Sequence, residues 1–153
     1  MDTKEISYNT AIMMEKIIEN NIDYTIRQIV SNYYSLPKED IEKYVDDILF
    51  YFSVLNPLKL AMLTCETKTN VDLNNNKSMF EKLENMYYYA GDHEKEKIYL
   101  EEKNSVLERL KKFKEETLVQ IPNDLAQELI KIKKSVELEI LKNERKSTKV
   151  QGD

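Results

Sequence analysis

Apolar residues recur at helical spacing along almost the whole chain, and the breaks between the runs are few. From Thr3 to Tyr34, the residues Ile6, Met14, Ile18, Ile22, Ile26, Val30 and Tyr33 line one face of a predicted first helix, with Asn20-Asn21 as its soft spot. Ser35 to Asp40 supplies a stop and a new start, with a first-turn proline beside early carboxylates. The second helix, about 37–55, is expected to bury Ile41, Tyr44 or Val45, Ile48 or Leu49, Phe52 and Leu55. Asn56-Pro57 reads as a cap and first-turn proline, opening a short third helix to about 66 with Leu58, Ala61, Met62 and Cys65 inward.

The stretch 68–77, KTNVDLNNNK, reads as a loop, and Ser78 with Glu81 as a capping box that opens a fourth helix over 79–90. Gly91 suits the left-handed residue past a helix end, and Asp92 the cap of a fifth helix over 93–118. That helix carries Tyr99, Val106, Leu110 and Phe113 on one stripe, with Leu107 and Leu118 beside it. Ile121-Pro122-Asn123-Asp124 breaks the chain again. A sixth helix over 123–144 then repeats Leu125, Leu129, Ile132, Val136 and Ile140 without interruption. MYYYAGDHEKEKIYLEE resembles one turn of a tetratricopeptide repeat, but the position that repeat gives to a small residue is Glu96 and no second copy follows. An ordinary helical hairpin is the better reading of 79–118.

Composition agrees with the periodicity. Two glycines and three prolines in 153 residues are too few for a fold of many tight turns, and 33 % charged residues are mixed with 41 % apolar ones throughout. The expectation is an all-α single domain, a bundle of five to six helices over 1–145 with a flexible tail at 146–153.

The formal charge is −5, unevenly spread: residues 1–92 hold nine Lys/Arg against fifteen Asp/Glu, and residues 93–153 hold fourteen against thirteen. Only the C-terminal end is locally basic, through Lys131, Lys133, Lys134, Lys142, Arg145, Lys146 and Lys149. Arginine occurs at Arg27, Arg109 and Arg145 alone, which disfavours base-specific readout of DNA. The N-terminus lacks the apolar core of a signal peptide, and the longest apolar stretch, 48–63, is broken by Asn56-Pro57 and carries Lys59. With Cys65 as the single cysteine, the expectation is a cytoplasmic protein with no membrane association.

Chemistry is hard to assemble from these residues. His93 and Cys65 are single, too few for a zinc site and poorly placed for a nucleophile–base pair. One internal glycine excludes a Gly-rich phosphate loop. The paired carboxylates Asp46-Asp47, Glu101-Glu102 and Glu115-Glu116 diverge on a helix. No enzyme activity and no cofactor are expected.

The remaining signal is surplus aromatic area. Successive helical positions diverge by about 100°, so Tyr87, Tyr88 and Tyr89 cannot share one core, and Phe50-Tyr51-Phe52 makes both faces of the second helix apolar. The sequence therefore points to an interaction or assembly protein binding itself, as a homo-oligomer, or a protein partner. Its candidate contacts are Tyr51, Tyr88 and Tyr89, with Ile132, Val136 and Ile140 as a second set. One alternative is a nucleic-acid accessory protein using the C-terminal lysines; another is an acidic inhibitor of a basic site. The Lys-, Ile-, Asn- and Tyr-rich composition fits an A/T-rich genome, as in viruses and mobile elements.

Overall fold

The computed structural model describes residues 2–151, and for Ser135 and residues 145–151 the backbone alone. The tail expected at 146–153 lies in that outer stretch, outside the fully described residues. The chain is all-α: a bundle of six helices among the described residues, with one small antiparallel sheet. It divides into two compact units, Met1–Thr64 with Leu118–Asp153, and Cys65–Thr117.

In the first unit, strand β1 (Thr3–Ser7) pairs with β2 (Leu118–Pro122), Ile6 opposite Val119 and Lys4 opposite Ile121. Both stretches were expected at helix ends. The strand wins because Val119 and Ile121 alternate with exposed neighbours, so period-two pairing buries both together with Ile6. Helix α1 (Tyr8–Asn32) therefore starts later, at a cap where the Ser7 hydroxyl accepts from the Thr10 amide at 3.1 Å.

Helix α2 (Lys38–Leu63) is one continuous element with Pro57 inside it, not two helices divided at Asn56-Pro57. An interior proline costs about 3 kcal/mol. Here Val54, Leu55, Leu58 and Met62 are buried on either side of it, and each such burial is worth roughly 1.5–3 kcal/mol. Packing on both flanks carries the helix through.

The last helical segment also differs. Lys133 is extended, with φ −148° and ψ 122°, and splits the expected sixth helix into α5 (Asn123–Ile132) and α6 (Lys134–Gln151). The apolar series survives the break, since Leu125, Leu129, Val136 and Ile140 are all buried. Polar contacts fasten α6 to the start of the chain. The Glu139 carboxylate accepts from the Ser7 amide and the Thr10 hydroxyl, the Asn143 side chain donates to the Glu5 carbonyl at 2.7 Å, and Lys4 pairs with Glu144. Glu139 thus places a negative charge at the α1 N-terminus, where the first amides of a helix have no carbonyl partner within the helix.

The second unit is a hairpin of α3 (Lys68–Ala90) and α4 (His93–Glu116). The expected loop at 68–77 is helical, and the start lies at Thr67, whose hydroxyl accepts from the Asn70 amide, rather than at Ser78. The reason is tertiary. Leu73 is buried with Val106 and Leu110, Phe80 packs on that cluster, and this contact outweighs the weak helix propensity of the asparagines. Gly91 turns the chain at φ 78°, with the Asp92 amide bonded to the Tyr87 carbonyl and the Gly91 amide to the Tyr88 carbonyl, a Schellman turn. Asp92 then caps α4, accepting from the Lys95 amide at 3.3 Å.

Candidate partner-binding face

The tyrosine run divides as helix geometry demands. Tyr87 turns inward and stacks on Tyr99 at 5.7 Å, while Phe80 stacks on the same ring at 6.2 Å. Tyr88 and Tyr89 are left outside at 55 % and 85 % exposure, edge-to-face with one another at 5.2 Å. Tyr51, in the first unit, is half-buried beside Phe50. The second expected set does not form a free stripe: Val136 and Ile140 belong to the core of their own unit, and Ile132 is half-buried.

The lysines spread rather than converge. Lys131 pairs with Glu128 at 3.4 Å; Lys133 and Lys134 are exposed at the α5–α6 joint, and Lys142 is exposed two turns further on. Arg145, Lys146 and Lys149 lie outside the described side chains.

A further extended apolar surface lies on the α1–α2 hairpin, where core was expected. Ile26, Val30, Tyr33 and Phe52, expected inward, are exposed, and of the alternatives Tyr44 or Val45 and Ile48 or Leu49 the structure leaves Val45 and Leu49 outside. Between Thr25 and Val54 no residue is buried at all. The cause is arithmetic. Ile18, Ile22, Ile26 and Val30 are spaced by fours, and each such step overshoots a full turn by about 40°. By Val30 the row has rotated about 120° away from α2, while the inward line passes instead through Thr25 and half-buried Ile29.

One ion pair shows how the displaced rows lie. Lys59 Nζ stands 3.0 Å from Glu19 Oε1, joining α2 to α1. That hydrogen bond, reinforced by the charges of Glu19 and then Glu15, holds the Lys59 ammonium above its usual pKa against some desolvation. Seven residues make nearly two helical turns. Ile26 and Tyr33 therefore continue the row of Glu19, and Phe52 and Val45 that of Lys59. Because Glu19 and Lys59 touch, the two rows run side by side on one surface of the hairpin. Val30 (72 % exposed), Leu49 (62 %), Leu60 (66 %) and Leu63 extend them.

Four of these side chains sit one residue past a buried or half-buried one on the inward line: Ile26 after Thr25, Val30 after Ile29, Val45 after Tyr44, Leu49 after Ile48. The 100° step makes them point straight off the hairpin, so the face is flat and two helices wide.

Reactive groups do not gather there. Among the described residues no group of three or more His, Cys, Asp or Glu side chains can hold a metal ion. His93 is exposed in the first turn of α4, 2.7 Å from Glu96 Oε1. No single helix among the described residues is long and apolar enough to cross a membrane. No family model, curated protein or solved structure matches the chain.

Proposed function

We propose that this protein acts by binding another protein chain, through the exposed face of the α1–α2 hairpin, and not by catalysing a reaction. The observation that carries this reading is the half-hairpin without a core. From Ile26 to Ser53 two helices present apolar rows and bury none of them. Leaving a large contiguous apolar surface in water forgoes about 25 cal/mol for each Å² that could be covered, and monomers rarely carry patches beyond a few hundred Å². Tyr88 and Tyr89 offer a smaller, secondary contact on the other unit.

The test is a photo-crosslinking amino acid placed at Leu49, with Glu101 on α4 as the control position. In the cells that make the protein, the residue at 49 is expected to form discrete protein adducts and the one at 101 few. Equal yields at the two positions contradict the reading.

A further inference from the structure

We infer that the occupant of the α1–α2 face is a second copy of this chain, two hairpins closing face to face into a four-helix bundle. The inference rests on the binding role proposed above and names its partner.

Shape argues first. A lone incoming helix would lie in the groove between α1 and α2, yet Val30 and Leu49 point straight off the surface rather than into that groove. A flat face two helices wide is covered best by another of the same kind, and a second hairpin brings one helix for each row. A two-fold axis lying in such an interface makes the patch its own complement.

Spacing argues next. On α1 the row runs Asp23, Ile26, Val30, Tyr33, in steps of three, four and three; on α2 it runs Glu42, Val45, Leu49, Phe52, in the same steps. Alternating threes and fours average 3.5 residues, the repeat that keeps a seam facing its partner in left-handed bundles with crossing angles near 20°. The inward line of α1 keeps the same average, from Tyr8 through Ala11, Met14, Ile18, Ile22 and Thr25 to Ile29, so this helix carries a second seam beside its buried one.

Area and charge complete the case. The eight exposed apolar residues of the two rows, at 42–72 % exposure, together offer on the order of 800 Å², about what one partner gives to a standard interface. The charges on this surface have both signs. Glu19 is paired with Lys59, Asp23 and Glu42 are the acidic members of the two rows, and Lys38 stands at the start of the α2 row, so two copies meet with charges of both signs and not as uniformly like-charged plates.

The experiment is light scattering on the full-length chain over a wide concentration range, with Leu49→Asp and Val30→Lys as separate variants and Tyr89→Ala as control. Both face residues are exposed within one chain, so the variants are expected to keep the wild-type helical circular dichroism. A wild-type and Tyr89→Ala dimer, converted to monomer by either face substitution, is the expected result. A wild-type monomer at every concentration overturns the second copy, as does a dimer that survives both Leu49→Asp and Val30→Lys. Crosslinked adducts at Leu49 of a mass other than twice the chain would then leave the broader binding role standing; no adducts would remove that as well.

Discussion

Lys59 on α2 and Glu19 on α1 meet at 3.0 Å, seven residues from Phe52 and Ile26 respectively, so one ion pair marks where the apolar rows of both helices lie. The pair is solvent-accessible. Its signature is the raised Lys59 pKa, caused chiefly by the hydrogen bond to Glu19. The sign follows: a lysine raised in the folded state adds stability throughout the range below the ordinary lysine value, and that contribution is lost as pH rises through the raised one. Side-chain NMR of the Lys59 methylene is expected to show titration above the ordinary lysine range, and Glu19→Gln is expected to return it to that range. An unchanged midpoint in Glu19→Gln would mean the pair does not form in solution.

Gly91 supplies a separate check on the second unit. Its φ of 78° lies where a side chain is strained, while a Cβ built there meets nothing within 4 Å. Gly91→Ala therefore carries a backbone cost alone, about 1–2 kcal/mol, with no clash to add. Urea unfolding measures it. A neutral substitution would show that the Schellman turn between α3 and α4 is not the solution geometry.

Glu139 is the corresponding check on the first unit. Its carboxylate takes hydrogen bonds from the Ser7 amide and the Thr10 hydroxyl at the start of α1, from more than a hundred residues away. Glu139→Ala is expected to lower stability by about 1.5–3 kcal/mol, the range for bonds to a charged group. Faster hydrogen exchange of the Ser7 to Thr10 amides should accompany it. If those amides keep their protection, α6 is not docked as described.

Much of this architecture could be read from the sequence, because a 3.6-residue period and scarce glycine leave little but helices. The Gly91–Asp92 turn was equally legible, since glycine at positive φ followed by a capping aspartate has a local cause. What escaped the reading depends on distant partners. Ile6 is the one buried residue of β1, and no local signal says that it pairs with Val119. Val119 and Ile121 do alternate in the sequence, and Pro122 drew attention to a break instead. The asparagines of α3 suggest a loop until Leu73 is seen against Val106 and Leu110.

The candidate face was visible only in part. That both sides of α2 are apolar is plain from Phe50-Tyr51-Phe52. Which side is covered is not, because Tyr44 and Val45, or Ile48 and Leu49, serve equally well until α1 chooses between them. The structure turns Tyr44 and Ile48 inward and leaves Val45 and Leu49 out. The tyrosines drew attention by being consecutive, whereas the wider surface is spread over two helices and shows only once Glu19 and Lys59 align them.

The central claim, that the α1–α2 face is covered by a second copy, is tested most directly by isotope-filtered NOE measurements on a mixture of methyl-labelled and unlabelled protein. Intermolecular contacts are expected from the Ile26, Val30, Val45 and Leu49 methyls to the Phe52 and Tyr33 rings of the other copy. Intermolecular contacts that avoid these residues, or none under conditions where the chain is concentrated and folded, would contradict it.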